Sequence, residues 1–442
     1  MRSSVLSFIG GIHPSPRKGL TDKKEIEVLK PPKFVTIPLL QHIGDPCEPL
    51  VKKGDAVKRG QKIGEPKGFI GAPIHSSVSG VVKSIETLPH PTSGKSMAVV
   101  IENDGKYENH NSISEKNVDI LSKEEIIETI KEAGIVGMGG AECPTHVKLT
   151  IPPESTVDTI ILNGAECEPY LTSDHRLMLE RADDIIYGLR VIMKTLEVKK
   201  AYIGIEDNKL DAIKTMEGAA FGHAGIEIIT LKTKYPQGAE KQLIDAITGR
   251  EVPSGGLPRD IGVVVNNIGT AAAISNAIRR GMPLIERVIT VTGKGISEPK
   301  NLLVPIGTQY SYIVEQCGGL KDDVKKVICG GPMMGVAQYT LDVPVIKGTT
   351  GIIFLTSDDV QVNRERACIR CAKCVEACPV YLMPLMINAY SRQQDYETCD
   401  KLNAIDCIEC GACSYVCPSK IPLLQNIRTA KYEIINGQDI NI

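Results

Sequence analysis

Two stretches near the carboxyl end of the chain repeat one cysteine spacing: Cys368-x2-Cys371-x2-Cys374-x3-Cys378-Pro379 and Cys407-x2-Cys410-x2-Cys413-x3-Cys417-Pro418. Each iron of a [4Fe–4S] cube needs one soft anionic ligand outside its sulfides, and four thiolates supply one for each iron. The proline after the fourth cysteine turns the chain away and prevents a helix from continuing. The two stretches therefore predict two [4Fe–4S] clusters and a role in electron transfer.

The same spacing is found in two-cluster bacterial ferredoxins, where three cysteines of a run hold one cluster and the fourth reaches across to the other. This pattern predicts two ligand sets: set I is Cys368, Cys371, Cys374 and Cys417, and set II is Cys407, Cys410, Cys413 and Cys378. Zinc sites and disulfides are the alternatives. Zinc sites usually show paired C-x2-C hooks rather than so dense a run, and nothing in the sequence suggests secretion.

Length and charge limit the remaining possibilities. A chain of 442 residues is too long for a single hydrophobic core, which predicts several domains. Its 51 basic and 53 acidic residues give a net charge of −2 and no electrostatic basis for binding nucleic acid. No stretch reaches the ~20 apolar residues of a membrane span, and the opening residues lack the apolar run of a signal peptide. We therefore expect a cytosolic protein, because cysteine-bound clusters assemble under reducing conditions.

Residues 31–103 predict a small β module, preceded by an N-terminal segment, residues 1–30. Short apolar runs alternate there with Gly, Pro and Asp turns, and their cadence resembles the barrel-sandwich of lipoyl and biotinyl carriers. Such carriers hold a modified lysine at a hairpin tip, whereas the tip at 66–72 offers only Lys67 in Gly-rich surroundings. We expect a structural module without a prosthetic arm.

Residues 118–285, after a polar linker at 104–120, alternate apolar strands with helices and predict a Rossmann-like α/β domain, doubly wound or nearly so. The longest helix of this domain is expected from Ser173 to Leu196, with Asp174 as a cap for its first turn. A β-rich segment follows at 286–345. Residues 358–430 carry the cysteine runs in a unit that we expect to be more helical than a minimal ferredoxin. The fold class is thus multidomain α/β.

Four segments of the α/β domain have the composition of a flavin and nucleotide site. The Gly-rich segment 134–145 would let backbone N–H groups approach a phosphate, although such a segment can also be a plain turn. Segment 163–169 directly follows an apolar strand, where the ligand crevice of an open α/β sheet lies; a solvated acidic turn is its alternative. Segments 235–241 and 265–270 each lead into a helix.

Together these segments resemble the flavoprotein subunit of respiratory complex I, which binds FMN and oxidises NADH. Its G-R-G-G-A-G-F-P-T-G-x-K run is matched at Gly137, Gly139, Gly140, Ala141, Pro144, Thr145 and Lys148. Its N-A-D-E-x-E-P, Y-x-x-G-E-E and V-N-N-V-x-T runs match residues 163–169, 235–240 and 265–270. Met138 replaces the arginine, and Cys143 replaces the phenylalanine that helps to stack the nicotinamide nucleotide.

The resemblance implies roles for the matched residues. FMN would be held by the backbone of Gly137, Gly139 and Gly140 and by the side chains of Lys148, Asn163, Asn266, Asn267 and Thr270. The flavin edge and the NAD(H) pocket would be shaped by Glu166, Glu168 and Glu240, with Tyr235 and Gly238 of the third segment beside them. Hydride transfer through a flavin needs no protein nucleophile, so no catalytic side chain is expected.

The complete arrangement is similar to the C subunits of Rnf complexes. This resemblance covers nearly the whole chain: the opening Phe8-x-Gly10-Gly11-Ile12-His13-Pro14, the barrel-sandwich, the flavin domain, an SLBB-like β-rich segment and the helical, ferredoxin-like two-cluster tail. It implies an NAD-dependent oxidoreductase subunit, peripheral on the cytoplasmic face of the membrane. The other subunits of an ion-translocating complex would be its partners, and electrons would pass between ferredoxin and NAD.

Two alternative functions remain open from the sequence. The first is a soluble NADH-dependent corrinoid (cobalamin) reductase of the same family, since such proteins share the flavin and dicluster parts. The second is an electron-transfer module without enzymatic activity, in which the substitutions Met138 and Cys143 mark a flavin site that no longer works.

Overall fold

The computed structural model describes residues 5–360 and 364–439. The predicted ranges 1–30 and 358–430 therefore include residues 1–4 and 361–363, which lie outside the described residues. Four units follow one another along the chain: a barrel-sandwich module, an α/β domain, a unit built on a six-stranded sheet, and a helical cysteine unit. Among the described helices, none has the length and apolar character needed to cross a membrane.

The barrel-sandwich module contains most of the short strands. Its two antiparallel sheets, β2-β8-β7-β4 and β3-β5-β6, enclose a core that includes Val35, Ile63 and Val99. Lys67 at the tip pairs with Glu48 at 3.0 Å, and both side chains are exposed. The strands up to the end of this module are β1 (Ile26–Val28), β2 (Phe34–Pro38), β3 (Glu48–Pro49), β4 (Ala56–Val57), β5 (Lys62–Glu65), β6 (Ile74–His75), β7 (Gly80–His90) and β8 (Gly94–Asn103).

The α/β domain is built on a parallel sheet with the strand order β11-β10-β9-β12. Its first helix begins with a reciprocal capping box between Ser122 and Glu125. The elements are α1 (Lys123–Glu132), α2 (Thr145–Leu149), β9 (Thr159–Asn163), α3 (Ser173–Glu180), α4 (Ala182–Leu196), β10 (Ala201–Glu206), α5 (Leu210–Ala220), β11 (Ile226–Leu231), α6 (Glu240–Thr248), β12 (Val263–Asn267) and α7 (Ile268–Arg279).

Both faces of this sheet are covered by helices. Successive side chains of a strand point to opposite faces, so Ile160 and Leu162 of β9 join one core with α4, α5 and α7. Ile161 points the other way and packs with Leu243 of α6. Because the strands are parallel, the loops that follow β9 and β12 open at the same edge of the sheet. That edge is where the second and fourth predicted site segments lie.

The prediction of one helix from Ser173 to Leu196 is wrong. The structure has two helices, α3 and α4, separated at Arg181, whose φ of −135° and ψ of 30° are not helical. Asp184 in the first turn of α4 accepts hydrogen bonds from Ser275 (3.0 Å) and Arg279 (3.2 Å) of α7. These bonds, together with a shared apolar core, connect α4 to α7, a contact that the local apolar pattern could not indicate.

The third unit is a six-stranded mixed sheet with the order β1-β14-β13-β17-β15-β16. Strand β1 of the N-terminal segment pairs in parallel with β14, from Ile26 opposite Asn301 to Val28 opposite Leu303. The N-terminal segment is therefore part of this sheet. The elements are β13 (Glu286–Thr292), β14 (Lys300–Pro305), α8 (Tyr310–Gln316), β15 (Val324–Cys329), β16 (Val336–Gln338) and β17 (Gly351–Thr356).

The cysteine unit is helical, as the sequence predicted. Two helices, α10 and α11, lie between the cysteine runs, and both pack against the final helix α13 around Ile387, Cys399 and Ile427. The elements are α9 (Lys373–Glu376), α10 (Pro384–Arg392), α11 (Tyr396–Lys401), α12 (Ala412–Val416) and α13 (Leu423–Asp439).

Candidate functional site

The Gly-rich loop is held against the start of α7. The N–H of Met138 donates to Thr270 Oγ1 at 3.1 Å, and the Asn267 side chain accepts from the N–H of Gly269 at 2.7 Å. A Cβ added to Gly139 would lie 2.8 Å from Asn267 Nδ2, so only glycine allows this close approach. Asn267 and Thr270 thus fix the loop, and both side chains are buried and engaged inside the protein.

The outer side of the loop is open. A Cβ added to Gly140 would meet no atom of the described residues within 4 Å, and one on Gly137 would meet nothing closer than 3.6 Å. The loop therefore presents bare backbone toward free space at the edge of the sheet. Such a surface suits close approach by a phosphate group.

Lys148, Glu240 and the end of β12 meet at the same edge. Lys148 Nζ donates to Glu240 Oε1 at 2.8 Å and to the carbonyl of Val265 at 3.1 Å. The Lys148 and Glu240 side chains are 30 % and 39 % exposed, so both remain accessible to a ligand. Asn163 at the end of β9 donates to the carbonyl of Gly238 at 2.8 Å, which brings the third segment to the second.

Asn266 offers a hydrogen-bond donor at this edge that the described part of the protein does not use. Its side chain is buried, yet Nδ2 has no hydrogen-bond partner within the described residues. Leaving a buried donor unsatisfied costs about 1–3 kcal/mol, so such a donor is expected to find a partner in the protein, in ordered water or in a ligand. With the open glycine backbone and Lys148, this donor fits an anionic, acceptor-rich ligand such as FMN.

The structure places Glu166 and Glu168 in structural roles. The Glu166 carboxylate accepts from the N–H groups of Asp174 (2.7 Å) and His175 (3.3 Å) at the start of α3. Burial raises the pKa of Glu168 to about 7, and its carboxylate accepts from the N–H groups of Met333 (3.0 Å) and Met334 (2.8 Å). Glu166 thus accepts hydrogen bonds from backbone N–H groups that have no partner within the first turn of α3. Glu168 connects the loop after β9 to the six-stranded unit.

The expectation that Asp174 caps the helix is wrong. Asp174 lies inside the first turn of α3, where Glu166 accepts from its N–H. Its own carboxylate accepts from Asn267 Nδ2 at 2.8 Å, and burial raises its pKa to about 6. Asp174 therefore orients the Asn267 side chain that holds the Gly-rich loop.

Two buried lysines support the loop after β9, and sequence reasoning missed both. Lys18 Nζ donates to the carbonyls of Glu166 (2.9 Å) and Glu168 (3.0 Å), and Lys209 Nζ donates to the carbonyl of Ala165 at 2.7 Å. No local motif marks these lysines, because Lys18 and Glu168 are 150 residues apart along the chain. These hydrogen bonds to backbone carbonyls fix the shape of the loop after β9.

Tyr235 faces the cysteine unit. Its ring is buried, and its hydroxyl donates to the carbonyl of Cys410 at 2.7 Å. Gly238, three residues later, donates its N–H to Cys167 Sγ at 3.3 Å in the loop after β9. The third predicted segment therefore contacts the site loop at one end and a predicted cluster ligand at the other.

The cysteine thiols fall into two groups. Burial, together with the neighbouring thiols of Cys407 and Cys378, raises the pKa of Cys410 to about 11 and that of Cys413 to about 12. Burial likewise raises the pKa of Cys374, and Cys417 raises it further. Cys378 therefore lies close enough to Cys407, Cys410 and Cys413 to influence the pKa values of their thiols, and Cys417 lies close enough to influence that of Cys374. Thiolates that repel one another in a buried site suit a cationic iron cluster, which compensates their charge.

The described residues, which include all fourteen cysteines, contain no disulfide. They also contain no group of three or more His, Cys, Asp or Glu side chains that converge on a single metal ion. Each cysteine of a [4Fe–4S] cube binds a different iron, so its ligands need not converge on one point. The eight cysteines of the two runs carry free thiols, as iron–sulfur ligation requires.

The two ligand sets differ in exposure. Cys368 and Cys371 of set I are exposed, whereas Cys378, Cys410 and Cys413 of set II are buried. An apolar cluster joins set II to the α/β domain and the N-terminal segment; its members are Ile12, Tyr235, Ala377, Cys410 and Ala412. Cys410 of the predicted set II accordingly lies next to the loop that carries Tyr235, whereas Cys368 and Cys371 of the predicted set I lie at the protein surface.

Family models match most of the chain. The RnfC barrel sandwich hybrid domain matches residues 6–106, and the Nuo51 FMN-binding domain matches residues 130–276. The SLBB domain matches residues 288–337, and the 4Fe-4S dicluster domain matches residues 367–421. The four kinds of module predicted from the sequence are confirmed.

A solved structure shares the fold at low sequence identity. The NAD+-reducing [NiFe]-hydrogenase in the H2-reduced state matches with a TM-score of 0.50 and 17 % identity, over 71 % of this chain and 63 % of that one. This likeness concerns the fold alone.

Two named relatives are similar along almost their whole length. The C subunit of the proton-translocating ferredoxin:NAD(+) oxidoreductase complex of Clostridium ljungdahlii is 52 % identical over 97 % of this chain and 94 % of its own. The C subunit of the Na(+)-translocating ferredoxin:NAD(+) oxidoreductase complex of Acetobacterium woodii is 50 % identical over 97 % of both. The resemblance inferred from the sequence is confirmed: the chain belongs to the family of C subunits of ion-translocating oxidoreductase complexes, the RnfC family.

Proposed function

We propose that this chain passes electrons between NAD(H), FMN and two [4Fe–4S] clusters, as the peripheral subunit of a membrane-bound complex that exchanges electrons with ferredoxin. The chain would lie on the cytoplasmic face, held by the other subunits. The observation that carries the proposal is the apolar cluster in which Tyr235 and Cys410 pack together, because it joins the flavin site to a cluster ligand.

FMN would bind at the carboxyl edge of the parallel sheet. The bare backbone of Gly137, Gly139 and Gly140 and the ammonium of Lys148 offer a place for its phosphate, and Asn163 and Asn266 offer amides for its polar groups. Bound FMN would supply the conversion between hydride transfer, two electrons with one proton, and single-electron transfer to iron–sulfur clusters. The protein itself would bind and orient FMN and the nucleotide. This role needs no nucleophilic side chain.

The nucleotide pocket would be acidic at its mouth. Glu240 is the least buried of the three predicted glutamates, and it stays close to Lys148. A carboxylate there would accept hydrogen bonds from ribose hydroxyls and repel a 2′-phosphate, which favours NAD(H) over NADP(H). Glu166 and Glu168 would act indirectly, by fixing the loop beneath the pocket.

Electrons would move through the two clusters in a fixed order. A set II cluster would lie next to the proposed flavin site, and a set I cluster would lie beyond it, where Cys368 and Cys371 are exposed. Set I would therefore exchange electrons with the next subunit. This order is supported by burial, since a one-electron carrier must approach its partner closely and the two exposed cysteines of the runs, Cys368 and Cys371, both belong to set I.

The test is anaerobic purification with FMN, iron and sulfide quantified, followed by an optical titration with NADH. We expect about eight irons per chain, as two cubane clusters require, one FMN, and bleaching of the flavin by NADH. Clusters without flavin and without an NADH response would refute the nucleotide site and leave an electron-transfer module. Reduction of added cobalamin by NADH, in a protein that captures no membrane subunit from its host, would favour the soluble corrinoid reductase.

A further inference from the structure

One short stretch of the α/β domain makes polar contacts with the residues that carry set II. Tyr235, before α6, donates its hydroxyl to the carbonyl of Cys410 at 2.7 Å. Gln242, in the first turn of α6, donates Nε2 to the carbonyl of Pro379 at 3.2 Å. Cys410 is a predicted ligand of set II, and Pro379 directly follows another, Cys378. Both donors therefore bond to backbone carbonyls at or beside predicted ligands of the same set.

Both donors are buried, and a third contact lies at the rim. Tyr235 is 1 % exposed and Gln242 is 6 % exposed, so water does not compete for their hydrogen bonds. Ser254, after α6, donates to the carboxylate of Asp406 at 2.6 Å, next to the set II ligand Cys407. Three hydrogen bonds from the α/β domain thus end beside three different set II ligands.

The same stretch also belongs to the flavin site. The carbonyl of Gly238 accepts from Asn163, and Glu240 pairs with Lys148. The backbone of Tyr235 is fixed by two hydrogen bonds with Ile12, at 2.8 Å and 2.9 Å. A segment of eight residues, 235–242, therefore connects the proposed flavin pocket to the residues that carry set II.

We propose that Tyr235 and Gln242 are positioning residues that fix the set II cluster against the flavin site and raise its reduction potential through the carbonyls of Cys410 and Pro379. The inference rests on the proposed function. Each donor places the positive end of its O–H or N–H dipole at a carbonyl beside the cluster. Reduction adds an electron to the cluster, so these dipoles stabilise the reduced form, and their loss lowers the potential.

The experiment compares Tyr235→Phe, Gln242→Met and the double variant with the wild-type chain. Tyr432→Phe is the matched control, because Tyr432 lies on α13 and is 65 % exposed. Each protein is purified anaerobically, its FMN and iron are measured, and the two clusters are titrated with dithionite and followed by electron paramagnetic resonance. The Cys410→Ala variant identifies the set II signal by its loss.

We expect the variants to keep their iron and FMN while the set II cluster becomes about tenfold harder to reduce, which corresponds to 59 mV for one electron. The set I cluster and the Tyr432→Phe control should keep their wild-type potentials. Unchanged set II potentials in the two single variants and the double variant would overturn the inference, as would equal shifts of both clusters. If Tyr235→Phe lost iron, the Gln242→Met potential alone would decide, since its bond is separate. Dithionite titration does not depend on NADH, so a failure of the proposed nucleotide site would be seen separately, as a missing flavin or a missing NADH response.

Discussion

Replacing Gly188 by alanine tests how α4 and α7 hold the flavin site. Gly188 is buried in α4, and a Cβ added there would lie 1.8 Å from the carbonyl oxygen of Ala271 in α7 and 2.5 Å from its carbon. Carbon–oxygen contacts normally stay beyond about 3.3 Å, so the helices would have to separate locally by about 1.5 Å. The clash is with backbone, so no side-chain rotation relieves it.

The expected cost follows from these distances. Overpacking a core typically costs about 1–3 kcal/mol, and a backbone clash belongs at the upper end, near 3 kcal/mol. The better helix propensity of alanine returns about 0.5–1 kcal/mol, which leaves a net loss of about 2 kcal/mol. For a domain of this size that lowers the melting temperature by about 5 °C. Ala271 follows Thr270, which holds the Gly-rich loop, so FMN should also be released more readily.

Gly218→Ala is the matched control, because Gly218 lies in α5 and its added Cβ would meet no described atom within 4 Å. That variant should gain about 0.5–1 kcal/mol from helix propensity alone. Thermal unfolding followed by flavin fluorescence, together with FMN and iron content, distinguishes the two. Gly188→Ala should lose flavin at a lower temperature and keep its iron. A Gly188→Ala protein with the melting temperature and FMN content of the wild type would refute the close packing of α4 on α7.

Three further predictions concern single side chains. Lys148→Met should weaken FMN binding at least tenfold and leave the iron content unchanged, as measured by quenching of FMN fluorescence; equal affinity would remove Lys148 from the site. Cys378→Ala should lower the iron content from about eight to about four and abolish the same paramagnetic signal as Cys410→Ala, whereas loss of the other signal would reverse the assignment. Burial lowers the pKa of Lys347 to about 7, and its Nζ donates to the carbonyls of Pro73 and Gly134 at 2.7 Å. The unfolded chain holds that proton up to about pH 10, so the folded state gains stability between pH 7 and pH 10. From pH 7 to pH 9 the wild type should therefore gain about 2 kcal/mol relative to Lys347→Met, and a constant difference in calorimetry would contradict the burial of this amine.

The sequence predicts best what depends on local spacing. The cysteine runs indicate iron–sulfur ligation because the distances between ligands are fixed by a few consecutive residues. The flavin segments are recognisable for a similar reason. Asn163 and Asn266 lie near the ends of neighbouring parallel strands, so the loops that follow these strands lie at the same edge of the sheet. The barrel-sandwich, whose short strands alternate with turns, follows from the same kind of pattern.

What the sequence does not predict depends on distant partners. Arg181 interrupts an apolar pattern that is continuous from α3 to α4, and directly after the break Asp184 bonds to the distant helix α7. Glu168 matches a nucleotide-site motif, yet its carboxylate is bound by backbone N–H groups of the six-stranded unit. Tyr235 matches the same kind of motif and bonds to a cysteine carbonyl 175 residues later. Such contacts are set by domain packing, which leaves no trace in local residue patterns.

The order of electron flow is the central claim, and a stopped-flow experiment on the Cys371→Ala chain tests it most directly. Cys371 belongs to set I, so the substitution should remove the surface cluster and leave the flavin site and set II in place. With NADH as the reductant, we predict that the flavin and the set II cluster are reduced as fast as in the wild type, while transfer to an external one-electron acceptor is lost. A set II cluster that stays oxidised in this variant, or continued transfer to the acceptor, would contradict the proposed path.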